Sequence, residues 1–185
     1  MKHDYEIRAQ EFIKKVFPFI EDDLFNPNFI EDAIADFNDK CHRKVIVSYG
    51  EARIALITSD YVVKFDYDDD TIEEIGGCEN EIELYAQAVE DGFDYLFAKI
   101  SRYNYAGYSF YIMPRIYHIG ECRRLFNYAD EYMTDEEQKW CESHNLTDLH
   151  CNNYGFRKCK VCIVDYAYIE HEYEWEDSIS SRSNH

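Results

Sequence analysis

The stretch Leu146-Thr147-Asp148-Leu149-His150-Cys151-Asn152-Asn153-Tyr154-Gly155 is followed closely by Val161-Cys162-Ile163-Val164-Asp165-Tyr166-Ala167, and the two together decide how the chain is read. An aspartate is followed five positions later by an asparagine, and an apolar run then delivers a second aspartate. The run Lys160-Val161-Cys162-Ile163-Val164 has the texture of a buried strand, so residues 154–166 read as a short β-hairpin. Taken singly, the Asp-to-Asn spacing is a common loop cap and Asp165 a common turn residue. Taken together they offer hard oxygen donors, Asn153 and Asp165, on either side of one hairpin, with Asp148 just ahead of it.

Upstream, the texture is of strands between helices. Val45-Ile46-Val47, Ala52–Ile57 and Tyr61–Phe65 are β-rich and separated by Ser48-Tyr49-Gly50-Glu51 and Thr58-Ser59-Asp60, which predicts a three-stranded antiparallel meander. Asp66-Tyr67-Asp68-Asp69-Asp70 reads as a solvated acidic loop. Residues 79–91 read as a helix with Ile82, Tyr85, Ala86 and Val89 on its apolar face, followed by strands at 96–100 and 108–113, the latter stopped by Pro114. Residues 120–145 read as helical, with Thr134-Asp135-Glu136-Glu137 as a capping box. At the start, Ala9, Phe12, Ile13, Val16, Phe17 and Ile20 form an amphipathic stripe that Pro18 limits or kinks near its end. Asn26-Pro27 opens a second helix to about Asn38, with Phe29, Ala33, Ile34 and Phe37 on its apolar face.

Composition bounds the rest. The 185 residues carry 19 basic and 38 acidic side chains, a formal net charge of −19. A 46% hydrophobic and 17% aromatic content argues for a folded core rather than an acidic disordered chain. The charge argues against a direct grip on nucleic acid and against docking on an anionic membrane. With no signal-peptide pattern at the N-terminus and no apolar stretch of spanning length, the expectation is a cytoplasmic protein without membrane association. Seven scattered cysteines suit free thiols in a reducing compartment. Cys141-x-x-His144 and Cys159-x-x-Cys162 have zinc-like spacing, but positions three apart on a strand face opposite ways, so packed core cysteines are the expectation.

The loop Asp148-Leu149-His150-x-x-Asn153 and the strand ending in Asp165 resemble the catalytic loop and metal-binding strand of the protein-kinase-like superfamily. The likeness is to the branch of aminoglycoside phosphotransferases and small prokaryotic and viral kinase-like proteins. It takes in Val63-Lys64 on a strand, Glu79–Tyr85 on the next helix and Tyr111-Ile112-Met113 placed like a hinge, and covers about residues 45–168. The resemblance implies an α+β, protein-kinase-like fold with an antiparallel-sheet N-lobe and a much reduced, helical C-lobe. It implies ATP and Mg²⁺ as cofactors. Lys64 would grip the α/β-phosphates, with Glu81 holding it extended. Glu83 is the rival, and residues two apart on a helix diverge, so only one of them serves. Asn153 and Asp165 would ligate Mg²⁺, and Asp148 would orient an acceptor hydroxyl and take its proton.

Departures from the pattern shape the functional expectation. Gly50 is the only glycine near the expected phosphate-covering loop, Leu146 stands before the loop aspartate in place of a polar residue, and Asp165-Tyr166-Ala167 lacks a terminal glycine. Twenty residues follow Asp165, too few for an activation segment and peptide platform. The organisation expected is an N-terminal helical segment at 1–44, an N-lobe-like sheet plus one helix at 45–113, a reduced C-lobe at 114–169 and an acidic tail at 170–185. The function expected is a truncated kinase-like protein binding ATP·Mg²⁺, a phosphotransferase toward a protein or small-molecule hydroxyl if active. The alternative is a catalytically inactive acidic binding or inhibitor protein, either a pseudokinase scaffold or a decoy for a basic, nucleic-acid-binding partner.

Overall fold

The computed structural model describes residues 4–50, 52–67, 77–116, 129–146, 149, 153–157 and 160–166. Among these the chain is mixed α+β, with four α-helices and a five-stranded antiparallel sheet. Helix α1 (Asp4–Ile20) buries the whole predicted stripe from Ala9 to Ile20. Its first turn carries Asp4 and Glu6, the sign of charge that a helix N-terminus favours. Helix α2 (Pro27–Cys41) starts where the Asn26 side chain accepts from the backbone N–H groups of Asn28 and Phe29, with Pro27 at the first helical position. It runs three residues beyond the expected Asn38 and stops at His42, which is left-handed with φ 50°. The Asn38 side chain then holds both backbone groups of Val45, at 2.8 and 2.9 Å, and aims the chain into the sheet.

The sheet consists of β1 (Ile46–Tyr49), β2 (Arg53–Ile57), β3 (Tyr61–Asp66), β4 (Ser101–Tyr105) and β5 (Tyr108–Pro114), in the order β1-β2-β3-β5-β4. The meander β1-β2-β3 is as the sequence predicts. Helix α3 (Cys78–Asp91) connects β3 to the β4–β5 hairpin, so β3 pairs with β5 and lies at the centre. Ala106 and Gly107, with φ of 52° and 89°, make the two-residue turn that suits the twist of a hairpin. Beyond the sheet come α4 (Asp135–Ser143), opened by the Thr134/Glu137 capping box, and the hairpin of β6 (Tyr154–Arg157) and β7 (Lys160–Ile163).

Alternation along the strands gives the sheet two different faces. Ile54, Leu56, Val63, Phe65, Phe110 and Ile112 point to one side, where α1 and α2 bury them in a common core. Tyr111 and Met113 point to the other, into a second core shared with α3, α4 and the β6–β7 hairpin. The N-terminal helices are therefore packed on the sheet rather than set apart from it.

Two local expectations are corrected. On α3 Ile82 and Tyr85 pack against the core as expected, but the fully buried positions are Cys78, Glu81 and Ala88, while Ala86 and Val89 face solvent. The buried face is shifted because a carboxylate, Glu81, occupies one of the three fully buried positions. Residues 96–100 are not a sheet strand. A 3₁₀ turn at Asp94–Leu96 leads into a buried extended segment with one parallel bridge, Phe97 to Ile163, and the sheet strand begins only at Ser101. The Ala98 N–H donates to the Ile163 carbonyl at 2.8 Å and the Tyr166 hydroxyl donates to the Ala98 carbonyl at 2.9 Å. These bonds fasten the C-terminal hairpin to the segment after α3.

Candidate functional site

Lys64 lies on the central strand, between the buried Val63 and Phe65, and faces away from the α1–α2 core. It has paired strands on both sides, and only 7% of the residue remains exposed. An ammonium group so placed is unfavourable without partners. Its Nζ donates to Glu81 Oε1 at 2.7 Å and to the Val164 carbonyl at 2.9 Å. Glu81, not Glu83, is the residue that α3 turns inward, and it is fully buried.

Polar ties set the position of α3. Gly77, its N-cap, has no capping side chain, and Asp66 at the end of β3 accepts the Cys78 N–H through both oxygens, at 3.0 and 3.3 Å. Glu79 accepts from Arg102 on β4 through both of its oxygens and from the Tyr111 hydroxyl on β5. With Glu81 on Lys64, the first turn of α3 is pinned to three strands of the sheet.

The hairpin completes the cluster from the other side. The Asn153 carbonyl accepts the backbone N–H groups of Val164 and Asp165, at 2.8 and 3.3 Å, which sets Asn153 beside Asp165. Asp165 Oδ1 lies 3.9 Å from Lys64 Nζ and 2.8 Å from Arg53 Nη1, and Arg53 Nη1 is also 3.3 Å from Glu81 Oε1. The Tyr166 N–H donates to the same Glu81 oxygen at 3.4 Å. Glu81 Oε2 has no hydrogen-bond partner among the described residues, although it is buried.

The electrostatics follow from this crowding. Burial alone would pull the Lys64 ammonium down, but Glu81 and then Asp165 outweigh it, and the group is held protonated above its ordinary range. Burial pushes the Glu81 carboxyl up against the opposing pull of Lys64 and Arg53. Burial acts the same way on Asp165, yet Lys64 and Arg53 prevail and hold its carboxyl below the usual range. Two cations thus face two carboxylates with opposite shifts, a pattern that clusters at sites of chemistry. As a stability device it is poor, because apolar residues of similar volume would serve as well.

Of the residues singled out in the sequence, Lys64, Glu81 and Asp165 meet in this cluster and Asn153 adjoins it through its backbone. Asp148 lies outside the described residues. Arg53 escaped the sequence reading, although one signal pointed to it: on β2 it alternates with Ile54 and shares the face of Lys64, so a charge there had to meet other charges.

Asp165 and the side-chain oxygen of Asn153 are of the kind that Mg²⁺ takes, and Asp165 keeps 40% of its side chain exposed. No group of three or more His, Cys, Asp or Glu able to hold a metal ion occurs among the described residues. Mg²⁺ typically uses one or two carboxylates together with substrate phosphates, so this donor set fits a phosphate-borne metal. The cysteines are not gathered: Cys78, Cys141 and Cys162 are buried free thiols, Cys41 is exposed, and Cys122, Cys151 and Cys159 lie outside the described residues. Burial pushes the Cys141 thiol up to about 12 and Cys162 to about 11, leaving both protonated. No described helix is long and apolar enough to cross a membrane. Comparison with protein-family models, with curated proteins and with solved structures finds no match to this chain.

Proposed function

We propose that this chain is a reduced kinase-like protein that binds ATP·Mg²⁺ beside Lys64. The single observation that carries the reading is the buried 2.7 Å pair between a lysine on the central strand and a glutamate on the helix that follows it, with Asp165 at 3.9 Å. Phosphoryl transfer asks for this combination: a lysine held by a helix glutamate for the phosphates, and an aspartate for the metal that bridges them. The sheet order β1-β2-β3-β5-β4, with α3 inserted after β3, suits an N-lobe, and α4 with the β6–β7 hairpin suits a reduced C-lobe. In this reading Asp165 and Asn153 hold Mg²⁺, which neutralises phosphate charge, and Lys64 orients the α/β-phosphates. Asp148 takes the acceptor proton.

The test is direct binding of a fluorescent ATP analogue with and without Mg²⁺, using the wild type and Asp165→Asn. Saturable binding that needs Mg²⁺ and is lost in the variant is expected. Absence of binding by well-folded wild type overturns the reading.

A second reading is a pseudokinase scaffold, which binds nucleotide without turnover. It is favoured by one observation: Asp165 is already satisfied at 2.8 Å by Arg53. A phosphate-release and transfer assay separates the two, since only the enzyme turns nucleotide over.

A further inference from the structure

We propose that Arg53 exchanges partners when ligand binds. It holds Asp165 and Glu81 in the state described here, and it turns its guanidinium to the nucleotide phosphates once Mg²⁺ takes Asp165. In that role it supplies the phosphate contact that the glycine-poor β1–β2 connection does not. The inference rests on the nucleotide reading above.

Position is the first argument. Arg53 is the first residue of β2, immediately after the connection from β1, and it lies on the same sheet face as Ala55 and Lys64. A backbone cradle for phosphate needs several glycines so that successive N–H groups approach the ligand. This connection has Gly50 alone, and its N–H is spent on the Arg53 carbonyl at 3.0 Å. The sequence has thus placed a long cation where the backbone offers few donors.

Exposure is the second. Within the cluster the Glu81 side chain is 0% exposed, Lys64 9% and Arg53 19%. A ligand arriving from solvent therefore meets Arg53 before Lys64. Both described contacts of the guanidinium run through Nη1, whereas the group has five N–H donors arranged in a fork that matches phosphate oxygens. It is equipped to gain a phosphate while giving up a carboxylate.

Charge is the third. Arg53 and Lys64 face Glu81 and Asp165 in the cluster, with Asp66 opposite Arg53 on the neighbouring strand. A divalent cation settling on Asp165 would lie within a few ångströms of the Arg53 guanidinium and repel it. The polyphosphate that accompanies the metal provides the nearest replacement anion. Metal and arginine thus compete for Asp165, but metal-bound phosphate and arginine cooperate.

That opposition gives the test. Arg53→Gln and Arg53→Lys are compared with wild type in two titrations: Mn²⁺ alone, followed by its electron paramagnetic resonance signal, and a fluorescent ATP analogue with Mg²⁺. Removing the guanidinium should weaken analogue binding about tenfold or more and tighten Mn²⁺ alone severalfold. Arg53→Lys keeps the charge without the fork, so it should restore part of the analogue affinity. Should Arg53→Gln fail to fold by circular dichroism, Arg53→Lys carries the test, with a weaker analogue affinity expected and an unchanged one overturning the proposal. Arg53→Gln binding the analogue as tightly as wild type, or Mn²⁺ affinity unchanged, likewise overturns it. Those results differ from failure of the underlying reading, in which folded wild type binds no nucleotide and both proposals fall.

Discussion

The two faces of the central sheet are built from the same strands and do opposite things. On one face Ile54, Leu56, Val63, Phe65, Phe110 and Ile112 pack in an apolar core with α1 and α2. On the other, one residue away in each strand, stand Arg53, Lys64 and Asp66, with Glu81 and Asp165 brought against them. The first face gains stability from every residue it buries. The second gathers charges whose desolvation offsets most of what their pairing returns. The period of two lets a single strand serve both purposes, and Val63-Lys64-Phe65 is the point where they adjoin.

The largest expected effect lies on the apolar face. Phe65 is 2% exposed and packs edge-on to Phe110, with ring centroids 5.7 Å apart. Phe65→Ala should destabilise the protein by about 3–5 kcal/mol in urea unfolding, leaving the nucleotide affinity proposed above unchanged in the folded fraction. A parallel loss of affinity would show that the two faces are not separable.

Lys64→Met probes the other face. It leaves Glu81 with Arg53 as its only cation, and because Arg53 remains, the cost should fall at the lower end for a broken buried pair, about 3 kcal/mol. Replacing both partners, Lys64→Met with Glu81→Leu, should recover most of that loss, while the nucleotide binding proposed above should be absent from both variants. Recovery of stability without binding would establish that the pair is present for chemistry. A double variant as unstable as the single one would make it an ordinary structural bridge.

The same contrast explains what could be read in the chain. The α1 stripe, the Asn26 cap, the β1–β3 meander, the Thr134 capping box and the β6–β7 hairpin each rest on residues a few positions apart, and local physics reaches that far. On helix α3 periodicity finds Ile82 and Tyr85, which do pack on the core, but it also expects Ala86 and Val89 there, whereas the buried face is shifted toward Glu81, which meets Lys64, 17 residues earlier. Arg53 is not legible in the sequence for a related reason: its partner Asp165 lies in a different part of the chain. No propensity links Lys64 with the Val164 carbonyl, 100 residues on. Only the resemblance to a kinase motif links Lys64, Glu81 and Asp165, and that motif has no place for an arginine at the start of β2. The apolar expectation at 96–100 identified burial correctly, but those residues bridge the C-terminal hairpin instead of joining the sheet.

The smallest effect sharpens the comparison by asking whether the polar side of the molecule responds to acid where the apolar side does not. Helix α4 belongs to the core on the side of Lys64, and Glu137 closes its capping box, accepting the Thr134 N–H at 2.6 Å and the Tyr95 hydroxyl at 2.9 Å. Burial works against the Glu137 charge, but these donors outweigh it and hold the carboxyl below its ordinary range. A carboxyl lowered by folding stabilises above its unfolded value, about 4.3, and loses that contribution as pH falls through the folded value. Glu137→Gln keeps an acceptor without the charge. The stability difference between wild type and this variant should therefore be fully present at neutral pH and vanish in acid. Thr134→Ala, which removes the reciprocal bond, should cost about 1 kcal/mol and raise hydrogen exchange in α4 while leaving α1 and α2 as protected as before. A wild-type minus Glu137→Gln difference that stays constant into acid would mean that the cap acts by geometry alone. Acid-induced exchange appearing first in α1 and α2 would reverse the assignment of charge-held and apolar sides.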